Sequence, residues 1–263
     1  MGSATTQAIG AAKAALDVAA GIDLDVSREL FAAARAVADT PQLGGALADS
    51  SAPADARAKV IADVFGAALR PASLGLLTTA VAQRWSSSSD LVDGIEELAV
   101  RAAARADTDA DVEGELFRFS RTVAANPDLE LALGSRLGDD SAKAVLIESL
   151  LQGRASEATV VIVSSLARQP RERRIRQLLD RAMSLVSDQR GRAVATVVSA
   201  VPLSDAQTQR LTAALAQRYG SRVSLNAVVD PTVIGGVRVQ IADDVIDASV
   251  SSRISDLRKR LAG

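Results

Sequence analysis

The sequence contains neither cysteine nor histidine among its 263 residues. Their absence excludes disulfide bonds, thiolate nucleophiles, imidazole general bases and metal sites built from Cys or His. Carboxylate, lysine or serine chemistry would remain possible, so these absences disfavour an enzyme without excluding one. We expect no cofactor. Aromatic residues make up only 2% of the chain, and alanine dominates an apolar content of 48%. This composition favours closely packed helices.

The chain also lacks a long uncharged apolar run and a strong net charge. No window reaches the roughly 18 uncharged apolar residues that a bilayer-spanning helix needs. The first residues lack the basic start and apolar core of a signal peptide. The net charge of −2 gives no general attraction to nucleic acid or to anionic lipid. We therefore expect no nucleic-acid partner, and contact with a membrane only indirectly, through a complex.

Most of the sequence has a helical pattern, and this pattern occurs twice. Shifting the chain by 86 residues aligns positions 27–48 with 113–134 and gives ten identities. Composition alone would give about two, at roughly one chance match per dozen positions. Two helices that look alike because both are amphipathic are the alternative explanation. Some identities involve residue types that an amphipathic pattern does not dictate: Phe31 with Phe117, Arg35 with Arg121 and Pro41 with Pro127. These identities favour duplication.

The pattern becomes strand-like after about residue 190. The short β-branched segments Ala193–Ala200 and Arg222–Val229 predict two strands, with a helix between them that begins at the capping box Ser204-x-x-Gln207. Ile234–Ile241 predicts a third strand, and Val245–Asp247 a short extension. A closing helix is predicted from Ser249, with apolar residues at helical spacing: Val250, Ile254, Leu257 and Leu261.

We therefore predict a mainly α protein, with two repeated helical-bundle domains followed by a small α/β C-terminal domain. The predicted boundaries are 1–89 for the first helical copy, 90–190 for the second and 191–263 for the α/β domain.

Two features allow more than one interpretation. Gly235-Gly236 lacks the spaced glycines and following helix of a phosphate-binding loop. The favoured interpretation is a bulge or a close backbone approach where the chain leaves the Asp230-Pro231 turn. The cluster Arg171, Arg173, Arg174 and Arg176 is compatible with a phosphate-binding patch. More often such a run is a solvated helix face or a docking surface for an acidic helix.

The C-terminal stretch contains a series of spaced motifs: Val223-x-Leu225, Val229-Asp230-Pro231, Val233-Ile234-Gly235-Gly236-Val237-x-Val239, Val245-Ile246-Asp247, Ser249 and Arg253. These motifs resemble the delta subunit of F-type ATP synthase, the oligomycin-sensitivity-conferring protein (OSCP) family. The resemblance extends back through residues 185–207 and includes AAKAALDVAA at 11–20, which is similar to the family's opening helix. An ordinary delta subunit has one helical domain, so the duplication resembles longer versions from high-G+C Gram-positive bacteria.

The resemblance implies a non-catalytic stator subunit that resists torque on the cytoplasmic face of the bacterial cell membrane. It implies that the helical domain holds N-terminal helices of alpha subunits. The C-terminal portion would hold the end of the peripheral-stalk b subunit. Asp230, Gly235, Gly236 and Asp247 are then structural motif residues. The candidates for partner binding are Leu16, Leu30, Phe31, Leu116 and Phe117 in the helical copies, and Arg253, Leu257 and Leu261 in the closing helix.

Three questions stay open at this point. A helical-repeat protein-binding scaffold unrelated to ATP synthase is the alternative function. A small α/β enzyme using Asp or Ser is a rival of another class, and it would need a ligand pocket near Gly235-Gly236. It is also open which helical copy binds alpha, because position favours the first copy and continuity with the α/β domain favours the second.

Overall fold

The computed structural model describes residues 2–134, 140–171, 173–220, 222–233, 235–241 and 244–247. The chain divides into two compact units, Met1–Val186 and Ser187–Gly263. Helices form the first unit, and a four-stranded sheet with a helix forms the described part of the second. The predicted fold class, mainly α with a small α/β C-terminal domain, is confirmed.

The helices of the first unit are short, apart from the longer α6. In chain order they are α1 (Ser3–Val18), α2 (Leu24–Asp39), α3 (Pro41–Ala48), α4 (Ala54–Phe65), α5 (Pro71–Ala82), α6 (Ser88–Ala106), α7 (Val112–Ala125), α8 (Pro127–Gly134), α9 (Asp140–Leu151), α10 (Glu157–Arg168) and α11 (Ile175–Gln189).

The helices follow the internal repeat. Three helices, α3, α4 and α5, have the same bounds as α8, α9 and α10 after a shift of 86 residues. The residues that end α2 and α7, Thr40 and Asn126, also share a backbone conformation, with φ and ψ of −122° and 86° in one and −128° and 88° in the other. Each is followed by the proline that begins the next helix, where the missing N–H costs no hydrogen bond.

Both copies contribute to one hydrophobic core. Leu30 and Ile61 of the first copy and their counterparts Leu116 and Ile147 of the second are all fully buried in the same cluster. Helix α6 lies at its centre and contacts α1, α2, α3, α5 and α10. The division into separate domains at residue 89 stays a prediction, as does the boundary at residue 190.

The second unit contains β1 (Arg192–Ser199), α12 (Asp205–Tyr219), β2 (Arg222–Val229), β3 (Val237–Ile241) and β4 (Asp244–Asp247). The strand order is β2-β1-β3-β4. Strands β1 and β2 are parallel and α12 connects them, whereas β3 runs antiparallel to both β1 and β4. The hydrophobic core of the second unit includes Ala195, Val197, Leu215, Val223, Val239 and Ile241.

The local predictions in this unit are mostly confirmed. The capping box of Ser204 and Gln207 is formed, and Gly220 ends α12 with a φ of +66°. Strand β2 has the predicted bounds, but β3 begins at Val237 rather than at residue 234. The reason is that Gly235 and Gly236 have φ values of +64° and +80°, which a strand does not use. The predicted closing helix, with Arg253, Leu257 and Leu261, lies outside the described residues.

Candidate functional site

The partner-binding candidates of the helical copies lie in or against the core. Leu16, Leu30 and Leu116 have no exposed surface, and Phe31 is 2% exposed. Phe117 is partly buried and packs against the same core. In the described structure these side chains hold the helices together, so they determine the shape of the surface above them. A direct contact with a partner stays a prediction for all five.

Helix α5 has an unusual surface for its composition. Residues 71–82 include no charged side chain, and a helix that is apolar on all sides is normally buried on all sides. Yet Pro71 and Gly75 are exposed, and a Cβ added to Gly75 would meet no atom within 4 Å. We call the outward stripe the α5 face, and it consists of Pro71, Leu74, Gly75, Thr78, Thr79 and Ala82.

Helix α1 packs beside α5 and presents an uncharged stripe to solvent that ends at exposed Asp17. Gln7, Gly10 and Ala14 are exposed at helical spacing, and a Cβ on Gly10 would again meet no atom within 4 Å. About a quarter of the chain is charged. An uncharged surface on two neighbouring helices therefore marks a candidate site for an apolar partner face.

Polar contacts hold the start of α5 in place. The carboxylate of Glu29 on α2 accepts hydrogen bonds from the N–H of Arg70 (3.2 Å) and the hydroxyl of Ser73 (2.5 Å). The Arg70 side chain donates to the same carboxylate at 2.9 Å and pairs with Asp23 at 2.9 Å. A negative charge at this position also stabilises the positive end of the helix dipole.

Helix α1 is held at both ends by longer-range contacts. Near its start, the hydroxyl of Thr5 donates to Asp90 of α6 at 2.8 Å. At its end, the guanidinium of Arg105 donates to the carbonyl oxygens of Leu16 and, at 2.7 Å, Ala19. The last carbonyls of a helix lack the usual donor four residues on. The guanidinium supplies a donor there, in addition to the N–H of Ala19 that bonds to the Leu16 carbonyl at 3.2 Å. The α1 and α5 surfaces are therefore presented by helices with defined positions.

The arginine cluster has a partner within the chain. Arg171 pairs with Glu96 of α6 at 2.8 Å and also with Asp93, and Arg173 pairs with Glu96 at 2.9 Å. Burial lowers the pKa of Arg171, but Glu96 and Asp93 outweigh it and hold this pKa above its ordinary value. The acidic helix that this cluster docks is α6, so for Arg171 and Arg173 the phosphate-patch and solvated-face interpretations are wrong.

Residues 230–233 form a turn, with the N–H of Val233 bonding to the Asp230 carbonyl at 3.1 Å, and Gly235 and Gly236 directly precede β3. The carboxylate of Asp230 accepts from the N–H of Thr232 at 2.9 Å and from its hydroxyl at 2.7 Å. The left-handed backbone of Gly235 and Gly236 explains the glycine pair without a ligand. Asp247 lies opposite Arg238 in the register of β3 and β4.

The outer strands of the described sheet expose apolar residues. Strands β2 and β4 lie at its two edges, and Val229 and Val245 are 47% and 48% exposed. Edge strands of this kind can accept a further chain segment.

Within the described residues, no helix has the length and apolarity to cross a membrane. No group of three or more Asp and Glu side chains in the described ranges could hold a metal ion.

The chain thus has the fold of a mainly helical, internally duplicated protein with a C-terminal α/β unit. Its residues 98–261 match the family of the ATP synthase delta (OSCP) subunit. The ATP synthase subunit delta of Leifsonia xyli subsp. xyli is 47% identical over 265 residues, which cover 100% of both chains. The corresponding subunit of Streptomyces avermitilis is 42% identical over 98% of each chain. The chain belongs to the ATP synthase delta (OSCP) subunit family, as its C-terminal motif predicts.

Among solved structures, a chain of the Toxoplasma gondii mitochondrial ATP synthase hexamer is 19% identical, with a TM-score of 0.38. The match covers 62% of this chain and 95% of that chain.

The sequence did not point to the α5 face, although a signal for it was present. Hydrophobic periodicity selects the buried side of a helix, and it selected Leu16, Leu30 and Leu116. The useful signal is the absence of charge across residues 71–82, which leaves the outward side of α5 uncharged as well.

Proposed function

We propose that this protein is a non-catalytic stator subunit of a proton-translocating F-type ATP synthase. In this role it joins alpha subunits of the catalytic head to the b subunit of the peripheral stalk, on the cytoplasmic face of the bacterial cell membrane. The observation that carries the proposal is the 47% identity to an ATP synthase delta subunit over the whole of both chains. Family membership also removes the alternative of an unrelated helical-repeat scaffold.

The proposed site for the N-terminal helix of an alpha subunit is the α5 face together with α1. An uncharged, small-residue surface suits the apolar side of an amphipathic helix, which binds through anchors spaced three and four residues apart. The 12 residues of α5 extend over about 18 Å, enough to accompany about three turns of a partner helix. Leu16 would contribute from beneath, by holding α1 against the core.

The proposed site for the C-terminal end of b is the second unit. Residues 187–263 form a compact unit with their own small core, which supports a separate attachment point. Among the described strands, β2 and β4 lie at the edges and expose Val229 and Val245, which supports attachment of a further chain segment there. Arg253, Leu257 and Leu261 stay candidate contacts for b.

A capture experiment with two partners tests this division of labour. The full chain is immobilised and presented with a peptide of the alpha-subunit N-terminus and with a C-terminal fragment of b. Deleting residues 187–263 should abolish the capture of b and spare that of alpha. Gly75→Glu should do the opposite, because it places a charge on the α5 face without a steric conflict. The matched control is Gly45→Glu on α3, which is also exposed and has open space.

The outcome that contradicts the proposal is equally specific. If the truncated chain and the Gly75→Glu variant both capture alpha and b as well as the full chain does, neither site is correct. If the full chain captures neither partner, the stator role itself is wrong.

A further inference from the structure

The α5 face has a counterpart in the second copy. A shift of 86 residues converts its six positions into six positions of α10: Glu157, Val160, Val161, Ser164, Ser165 and Arg168. These six residues line a cleft of about 370 Å³, and the other side of the cleft is formed by Arg28 and Arg35 of α2 with Glu148 of α9. The counterpart face is therefore turned toward a helix of the same chain.

Burial differs at two of the six positions, where the α10 residue is the more buried one, and is similar at the other four. Gly75 is exposed and Thr78 is partly exposed on α5. Their counterparts on α10, Val161 and Ser164, are only 5% and 8% exposed. Helix α2 packs against both α6 and α10, which accounts for the loss of exposure.

The two faces also differ in charge, in a way that agrees with the packing of α2 against α10. The α5 face has none, whereas its counterpart has Glu157 at one end and Arg168 at the other. Arg28 of α2 pairs with Glu157, and it also pairs with Asp25 of its own helix at 2.6 Å. At the other end of α2, the side-chain amide of Gln169 donates to Asp39 at 2.5 Å. Polar contacts thus join α2 to the α10 region at both ends of the contact.

We propose that the helical unit binds one partner helix, on the α5 face, because its own α2 lies across the corresponding face of α10 and leaves only a small cleft there. The second copy then supplies a packing partner for the first rather than a second docking site. The inference rests on the proposed function, since it concerns the number and place of the alpha-subunit helices that one chain holds.

The absence of cysteine from the sequence provides a direct test. The double variant Arg28→Cys, Glu157→Cys is joined by a short bismaleimide, which locks α2 onto α10. A synthetic peptide of the amphipathic alpha-subunit N-terminus is titrated calorimetrically into the locked and unlocked full chain. We expect one peptide per chain in both, with the same affinity. Gly75→Glu should weaken binding by at least about tenfold, and Gly45→Glu should leave it unchanged.

The results that overturn the inference differ from those that overturn the proposed function. Binding of two peptides per unlocked chain contradicts this inference and leaves the stator role intact. The inference is also contradicted, with the stator role intact, if one peptide binds the unlocked chain and the Gly75→Glu variant but not the locked chain. In that case the binding site would be on α10. No binding to any form contradicts the alpha contact of the proposed function, and the single-site inference with it.

Discussion

Glu29 and Glu115 make the same contact 86 residues apart. Each carboxylate accepts from the backbone N–H of the residue 41 positions later, Arg70 at 3.2 Å and Ser156 at 2.9 Å. Each also accepts at 2.5 Å from a hydroxyl three residues further on, Ser73 or Thr159. The duplication has thus preserved a tertiary hydrogen bond as well as helix lengths. This hydrogen bond fixes the start of α5 and of α10 in the same way.

Replacing either glutamate should destabilise the helical unit. Glu115→Ala removes the acceptor for three donors at the start of α10, including the hydroxyl of Ser156 at 2.6 Å. Partly buried donors left without a partner cost about 1–3 kcal/mol. Urea unfolding followed by circular dichroism should show this loss for Glu115→Ala and for Glu29→Ala. Asp63→Ala, which removes an exposed pair with Lys59, should change stability by less than about 0.5 kcal/mol.

Gly94 should not tolerate a side chain, because Trp85 packs on it. A Cβ at this position would lie 2.1 Å from the indole ring, and Trp85 is itself buried, with its N–H donating to Ala80 at 2.8 Å. Gly94→Ala should cost about 1–3 kcal/mol despite its better helix propensity. The cost should shrink in a Trp85→Leu background, measured as a double-mutant cycle. Equal costs in both backgrounds would contradict this steric explanation.

Arg171 should prefer glycine to alanine as a replacement. It has a φ of +46°, the only positive value among the non-glycine residues that the structure describes. Both replacements remove the pairs with Asp93 and Glu96, so the difference between them isolates the backbone strain. Arg171→Ala should be less stable than Arg171→Gly by about 1 kcal/mol. The same two substitutions at exposed Arg174, where φ is not positive, should show no advantage for glycine.

The glycine pair before β3 should be required for its backbone conformation. Gly236→Ala places a Cβ at a φ of +80°, which should lower the stability of the second unit by about 1 kcal/mol. Hydrogen exchange of the β3 amides is the appropriate measurement, since it reports this unit separately. Gly10→Ala is the opposite control, because Gly10 is helical and has open space. It should leave β3 exchange unchanged and stabilise α1 by up to about 1 kcal/mol.

Local chemistry explains why much of the fold could be predicted from the sequence. The capping box of Ser204 and Gln207, the end of α12 at Gly220 and the bounds of β2 depend on residues close in the chain. The duplication was visible because types such as Phe31, Arg35 and Pro41 recur at one spacing. The sequence predicts too early a start for β3, because the apolar pattern continues through Gly235 and Gly236. The positive φ of both glycines is incompatible with a strand.

Sequence alone determined that this chain is mainly helical, duplicated and a relative of the delta subunits. Helix periodicity, caps and family motifs depend on residues that are close together in the chain. Only the tertiary structure decided what each face touches. An apolar stripe is the same in sequence whether its own chain or a partner covers it. The sequence therefore could not show that Leu16 and Leu30 are buried in the core, and their contact with a partner stays a prediction. The partner of Arg171 lies 75 residues earlier, and only folding shows that the α5 face is open while its counterpart on α10 faces α2.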